Sequence, residues 1–272
     1  MTTVVETYRE QYVESASNKA RRVAYLVSRF PKLTETFVLY EILAMQRMGI
    51  EVELFPLRRE RTAVLHAEAQ QVVDSARFTP LLLSWHIFWA HCYFIATRPW
   101  TYVATLGTVL RANAGSRRYL AGAIAYFPKA VLLAWRMQRL GIQHLHAHFA
   151  SHPAAVAYVI HRLAGIPFSF TAHGSDLHRD RHMLREKVRA ASSVVTISLY
   201  NRDIIANECG NDARDKVRVI HCGVDTSKFS YRSIETAFAH NAGPFKIVCT
   251  GTLHEVKGQS HLIDACRTLR ER

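Results

Sequence analysis

Polar side chains follow directly after one of the apolar segments of this chain. Residues 167–171 are predicted to form a short buried strand, and His173, Gly174, Ser175 and Asp176 come just beyond it. Ligands of open parallel α/β sheets bind beyond the carboxyl ends of the strands. An imidazole, a flexible glycine, a hydroxyl and a carboxylate at such a place indicate a polar binding site. The alternative is a turn that Asp176 caps.

Three histidines end another predicted strand, one α/β unit earlier. His144, His146 and His148 alternate with apolar residues, so on a strand they would share one face. A His-x-His pair also begins the metal site of zinc amidohydrolases, to which His173 and Asp176 could add ligands. The pattern leaves three roles open: metal binding, packing and hydrogen bonding, or contact with a sugar or phosphate.

Two loops have features that suit anions. Residues 28–35 connect the first predicted strand to a helix for which Thr34 is the expected cap, with Glu35 in the first turn. Lys257 stands just before a later predicted helix, where its charge and the helix dipole could meet a phosphate together. The first loop lacks the GxGxxG dinucleotide fingerprint, and the second lacks the GxxxxGK[ST] phosphate loop.

Strand and helix patterns alternate along most of the chain. Predicted strands cover residues 23–27, 52–57, 144–147, 167–171, 193–197 and 216–221, and predicted helices cover 35–48, 153–163, 183–190 and 200–208. This rhythm predicts an α/β fold with a doubly wound, Rossmann-like parallel sheet. A further strand at 245–250 and a helix at 259–272 would begin a second such domain.

The predicted domain organisation follows from this order. Residues 1–20 form a loose leader, residues 21–235 the first domain, and residues 236–272 the start of a second, truncated domain. The first domain carries a helical insertion at 78–140. The insertion has no Lys, Arg, Asp or Glu between Arg77 and Arg98, and a second apolar stretch runs over 119–135. Buried helices, an interfacial membrane surface and a membrane span are the three alternatives.

The net charge of the chain limits the kinds of partner it is expected to bind, and its cysteine content indicates the cellular compartment. The 272 residues hold 35 Lys and Arg against 22 Asp and Glu, a formal net charge of +13, which favours an anionic partner. The chain has no RNP-type aromatic motif or zinc-finger spacing, so no nucleic acid is expected. Five widely spaced cysteines indicate a reducing compartment, and the N-terminus lacks the apolar core of a signal peptide.

Several motifs, taken in order, resemble one enzyme family. Residues 28–37 read SRFPKLTETF, 146–149 HAHF, 171–176 TAHGSD, 198–202 SLYNR and 221–225 HCGVD. Together with the loop 251–258, this set is similar to the retaining GT-B glycosyltransferases of family 4, in the branch for exopolysaccharide and colanic acid biosynthesis. GT-B enzymes have two Rossmann-like domains separated by a cleft.

The resemblance implies roles for individual residues. His173 matches the active-site histidine near the transferred sugar, and Lys257 matches the basic residue that faces the donor diphosphate. Thr252 stands where the family usually has arginine as a second phosphate contact. Substrate-binding roles are implied for the following motif residues: Ser28, Glu35, His148, Gly174, Asp176 and Asn201. The family needs no bound metal or other cofactor for its nucleotide-sugar donor.

The implied reaction moves a sugar from a nucleotide-sugar to a lipid-linked saccharide acceptor, with retention, on the cytoplasmic face of an anionic membrane. The family's Glu-x7-Glu motif lies in the C-terminal domain, and no residues after 235 supply it, so the chain is expected to be an inactive fragment by itself. Three alternatives stay open. They are a GT-B nucleotide-sugar 2-epimerase, a zinc hydrolase built on His146 and His148, and a non-catalytic membrane-associated module.

Overall fold

The computed structural model describes residues 22–32, 34–61, 68–80, 84–224 and 246–271. Backbone contacts divide the chain into two units, residues 1–223 and residues 224–272. The predicted leader at 1–20 and the predicted domain boundary at 235 lie outside the described residues.

A six-stranded, all-parallel sheet forms the centre of the first unit, as the α/β rhythm predicts. The strands are β1 (Arg22–Phe30), β2 (Glu51–Arg59), β3 (His144–His148), β4 (Phe168–Ala172), β5 (Ser193–Thr196) and β6 (Val217–Val219). Their spatial order is β2-β1-β3-β4-β5-β6. β2 lies on one side of β1, and β3 to β6 follow one another on the other side. The strand order therefore reverses between β1 and β3, which is the topological switch point of the sheet.

Helices connect these strands. In the first unit they are α1 (Thr36–Arg47), α2 (Ala69–Ser75), α3 (Trp85–Thr97), α4 (Pro99–Asn113), α5 (Arg117–Arg139), α6 (His152–Ala164), α7 (Ser175–His178), α8 (Leu184–Ala190) and α9 (Leu199–Cys209). A short 3-10 helix, Asn211–Lys216, precedes β6.

The helices cover both faces of the sheet, because side chains alternate along each strand. Ala24 and Leu26 of β1 belong to the large core that contains α5 and α6. Tyr25 and Val27 belong to a smaller core with α1 and α2. This arrangement confirms the predicted doubly wound, Rossmann-like architecture.

The start of the chain differs from its prediction in two places. Ser28 lies inside β1, which continues to Phe30 because it pairs with β2 as far as Arg59. The helix α1 begins at Thr36 with Glu35 at its N-cap, and no side chain caps it. Thr34 is therefore not the cap, and the predicted loop at 28–35 is shorter than the sequence indicated.

The predicted insertion at 78–140 contains three helices, α3, α4 and α5. Ile87, Ala90 and Phe94 bury one side of α3 against α5. The opposite side of α3 and the start of α4 expose large apolar side chains, namely Trp85, Phe88, Trp89, Tyr93, Ile95 and Trp100. The apolar segment is thus only half buried. Among the described helices, none is both long and apolar enough to cross a membrane.

The described part of the second unit contains a 3-10 helix, Glu255–Lys257, and helix α10, Gln259–Glu271. The predicted strand at 245–250 is wrong for its described residues, 246–250, which form no strand and pair with none in the part of the chain that is described. A strand needs a neighbour for its backbone groups, and Val248 is 84% exposed.

Candidate functional site

Four rings meet beyond the carboxyl ends of the strands at the switch point. The ring centroid of His173, after β4, lies 4.6 Å from that of Phe37 on α1 and 4.6 Å from that of Phe149, which follows β3. His148 stacks on His173 at 5.5 Å, and its Nδ1 lies 3.2 Å from His173 Nε2. The parallel register pairs His148 with Thr171, which explains how two distant sequence motifs come together.

Phe149 adopts a backbone conformation that residues other than glycine seldom take. Its φ is +77°, in the left-handed region, at a cost of about 1 kcal/mol or more. The Phe149 N–H donates to the Thr171 carbonyl at 2.8 Å, which holds the residue in place. The sharp turn directs the phenyl ring against His173, and the strain coincides with the candidate site.

His146 is fully satisfied by hydroxyl groups of the next strand. Its Nδ1 lies 2.8 Å from the Ser169 hydroxyl, and its Nε2 lies 3.0 Å from the Thr171 hydroxyl. Burial lowers the pKa of His146 to about 3 and the pKa of His148 well below its ordinary value. Both imidazoles are therefore neutral at pH 7, and the prediction that they share one face of a strand is confirmed.

Asp176 holds the loop instead of facing open space. Its side chain is buried, and its carboxylate accepts the backbone N–H groups of Ala150 at 2.6 Å, Gly174 at 2.7 Å and His173 at 3.1 Å. The carboxylate thus ties the segment after β3 to the segment after β4. The sequence predicted Asp176 and Gly174 as substrate-binding residues, and that role stays a prediction. In the structure the Gly174 N–H donates to Asp176, and this hydrogen bond positions the loop after β4.

Asn201 also acts on the His173 backbone. Its amide Nδ2 donates to the His173 carbonyl at 3.1 Å, and its Oδ1 lies 3.0 Å from His178 Nε2. The Ser198 hydroxyl accepts the Asn201 N–H at 3.2 Å and caps α9. The side chain of Asn201 is buried, and its sequence-predicted contact with substrate stays a prediction.

Ser28 and Glu35 are the other two predicted substrate-binding residues of this unit. Neither takes part in the hydrogen bonds that Asp176 and Asn201 make to the backbone. Ser28 is half-buried near the end of β1. The Glu35 carboxylate pairs with the Lys32 ammonium at 2.5 Å. Their roles stay predictions.

Sequence reasoning missed Glu41. This residue of α1 lies one helical turn after Phe37, so both project from the same side of the helix. Its Oε1 accepts from the Tyr25 hydroxyl at 2.9 Å, and its Oε2 lies 3.6 Å from His148 Nε2. The i, i+4 spacing from Phe37 was the available signal. Partial burial raises the pKa of Glu41, and the Tyr25 hydrogen bond opposes that rise.

Glu41, His146 and His148 offer ligand atoms that all lie within 4.8 Å of one another, a spacing that could hold a metal ion. One observation counts against this use. Both His146 nitrogens already have hydroxyl partners, so a metal would have to break one of these two hydrogen bonds.

The two predicted phosphate contacts lie in the second unit. Lys257 ends the 3-10 helix Glu255–Lys257, is exposed, and precedes α10 by one glycine. Thr252 is also exposed, and its backbone carbonyl accepts from the Gln259 side chain at 2.9 Å. Lys257 is thus a basic residue close to the start of a helix, as the sequence predicted. Its contact with phosphate stays a prediction.

Comparison with known proteins gives two findings. The family described as Glycosyltransferase Family 4 matches residues 34–228. The chain is also 25% identical over 281 residues to the protein described as "Putative colanic acid biosynthesis glycosyltransferase WcaL" of Escherichia coli (strain K12). That alignment covers 92% of this chain and 61% of the relative, so the chain spans about three fifths of the relative's length. The matched region contains the ring cluster and the loop held by Asp176.

Proposed function

We propose, since the chain belongs to Glycosyltransferase Family 4, that its protein transfers a sugar from a nucleotide-sugar to a hydroxyl group of a lipid-linked saccharide, with retention of the anomeric configuration. The relative's name, which refers to colanic acid biosynthesis, supports an acceptor used in extracellular polysaccharide assembly. In this proposal residues 21–235 form the acceptor side, and residues 236–272 begin the donor side.

The position of His173 carries the proposal. Burial lowers the pKa of His173, so its imidazole is neutral at pH 7 and can donate or accept a hydrogen bond near a sugar hydroxyl. Phe37 and Phe149 flank the ring on the apolar side. During transfer the bond from the anomeric carbon to the diphosphate breaks, the bond to the acceptor oxygen forms, and the acceptor proton passes to an oxygen of the departing diphosphate. Lys257 and the start of α10 would stabilise the departing diphosphate, and no metal is required.

The first prediction concerns transfer itself. The complete reading frame that encodes this chain is expected to move labelled sugar from one of a panel of nucleotide-sugars to lipid-linked saccharides. His173→Ala is expected to lower the rate at least tenfold, because a positioned imidazole is lost at the reacting centre. Product anomers read by NMR test retention.

Each other result has a distinct meaning. Epimerised sugar formed without acceptor would favour the 2-epimerase. Zinc bound in a one-to-one ratio, and lost on mutation of His146, would favour the hydrolase. Absence of transfer with every donor in the panel would contradict the transferase proposal.

We also propose that the α3–α4 surface binds an anionic membrane. Trp85, Trp89 and Trp100 are 74%, 61% and 85% exposed, and aromatic side chains of this kind favour the membrane interface. No Asp or Glu occurs between Asp74 and Asp176, whereas nine Lys and Arg residues do. An exposed aromatic face in an acid-free basic segment suits a bilayer with negative headgroups.

The second prediction tests this surface by vesicle flotation. The chain is expected to float with phosphatidylglycerol vesicles and not with phosphatidylcholine vesicles. The triple variant Trp85→Ala, Trp89→Ala, Trp100→Ala is expected to bind at least tenfold more weakly, since three interfacial rings are lost. Met48→Ala, which removes an exposed apolar side chain from the end of α1, serves as the control. Equal binding of all three proteins would contradict the proposed surface.

A further inference from the structure

A row of polar groups runs from the core of the sheet to His173. The Tyr25 hydroxyl donates to Glu41 Oε1 at 2.9 Å, Glu41 Oε2 lies 3.6 Å from His148 Nε2, and His148 Nδ1 lies 3.2 Å from His173 Nε2. Three elements supply this row, since Tyr25 is on β1, Glu41 on α1 and His148 on β3. The family motifs contain the two histidines and leave the carboxylate without a role.

His148 Nε2 is the atom that most needs a partner. The side chain is completely buried, and Nε2 has no hydrogen-bond partner among the described residues. A buried ring nitrogen without a partner is unfavourable, because it has lost its hydrogen bonds to water and has gained none in the protein. The facing Glu41 side chain is 42% exposed, so it has the freedom to rotate. A displacement of less than about 1 Å brings its oxygen into hydrogen-bond range of His148.

The neighbouring histidine does not compete for this carboxylate. His146 Nε2 lies 3.9 Å from Glu41 Oε1, farther than His148 lies from Oε2. Both His146 nitrogens are already bonded to the hydroxyls of Ser169 and Thr171. The Glu41 carboxylate is therefore available as a hydrogen-bond acceptor for His148 Nε2.

The charge at one end sets the direction of every hydrogen bond in the row. An ionised carboxylate can only accept. His148 must then carry its proton on Nε2 and present an unprotonated Nδ1. That nitrogen accepts from His173, which must carry its own proton on Nε2. The Nδ1 of His173, which has no hydrogen-bond partner in the described part of the chain, is consequently left as an acceptor.

We infer that Glu41 is a positioning residue that, through His148, fixes the tautomer of His173 so that His173 Nδ1 accepts a hydrogen bond from a substrate hydroxyl. This inference rests on the proposed function for the identity of the substrate. It assigns the histidine an accepting role toward a hydroxyl and excludes a donating role toward the diphosphate.

Nitrogen-15 NMR of histidine-labelled protein tests this assignment on the 272-residue chain. In the wild-type chain, both His148 and His173 are expected as single neutral tautomers with the proton on Nε2. His148→Phe and His173→Gln spectra identify the two resonances. Glu41→Gln replaces the carboxylate with an amide that can donate as well as accept, so His148 is expected to lose its single tautomer. The control is Glu51→Gln, which changes a carboxylate at the amino-terminal end of β2 that pairs with Arg22 of β1. It should leave the tautomers of both histidines unchanged.

Three results would overturn the inference. They are a wild-type His148 with its proton on Nδ1, a Glu41→Gln spectrum identical to that of Glu51→Gln, and zinc bound in a one-to-one ratio through Glu41 and His148. The wild-type spectrum decides the first point even if the Glu41 variant does not fold. No sugar enters the measurement. Reversed tautomers would therefore refute the role of Glu41 alone, and a negative transfer assay would refute the proposed function alone.

Discussion

Replacing Asp176 with alanine is expected to lower the free energy of unfolding by about 4 kcal/mol. The carboxylate is buried and accepts three backbone N–H groups, those of Ala150, His173 and Gly174. A hydrogen bond to a charged group contributes about 1.5–3 kcal/mol, and a buried donor that loses its partner carries a further penalty. The three terms are not additive, which is why the estimate is below their sum.

The effect should extend to the site because Asp176 joins two strand ends. Ala150 follows β3, and His173 follows β4. The Lys187 ammonium also holds the segment after β3, because it donates to the carbonyl of Ala150 and, at 2.8 Å, to that of His182. Without the carboxylate, the separation of His148 and His173 is no longer fixed, so sugar transfer should fall together with stability.

Urea unfolding followed by circular dichroism measures the change. Asp176→Asn is expected to lose about half as much as Asp176→Ala, because the amide oxygen still accepts while the amide nitrogen cannot. Asp215→Ala, which changes an exposed carboxylate on the 3-10 helix before β6, should shift stability by less than about 0.5 kcal/mol. A loss below about 1 kcal/mol for Asp176→Ala would show that water replaces the carboxylate.

The sheet and its site edge could be predicted because both depend on local patterns. Apolar strands separated by amphipathic helices specify a parallel sheet, and parallel strands bring their carboxyl ends to one edge. His148 and His173 therefore had to lie close together once β3 and β4 were neighbours. The alternation of His144, His146 and His148 fixed their common face in the same way.

Roles that depend on long-range contacts could not be predicted. Glu41 resembles any polar residue on a helix until α1 packs beside β3. The buried Asp176 and Asn201 bond backbone groups of distant segments, which the sequence did not indicate, and their predicted contact with substrate stays a prediction. Residues 246–250 have a strand-like composition, but a strand also needs a partner, which no local pattern supplies.

The helices α3 and α4 show a further limit of pattern analysis. The sequence of α3 is largely apolar around the whole helix, which is equally typical of a buried helix and of one at a membrane. Only the packing shows that Phe94 faces the core and that Trp85 and Trp89 face outward.

The chain is expected to lose stability as the pH falls from 7.5 to 5.0, because its central histidines are buried in the neutral form. The pKa of His146 is about 3 in the folded chain, against about 6.5 when unfolded. Between these values the unfolded state binds more protons, so the free energy of unfolding falls as the pH falls. At pH 5.0 the loss from His146 alone is about 2 kcal/mol. His148, whose pKa is also well below its ordinary value, adds to it.

Glu41 acts with the opposite sign, and a variant separates the contributions. Its raised pKa lets the folded state take up a proton first, which offsets part of the histidine loss in acid. Urea unfolding at pH 7.5 and 5.0 measures the total. His146→Gln keeps a group that can bond Ser169 and Thr171 but does not titrate, so its stability should change with pH by about 2 kcal/mol less than that of the wild type. An unchanged pH dependence in His146→Gln would mean that the pKa of His146 is nearly the same in the folded and unfolded chains, which would contradict the burial of this imidazole in its neutral form.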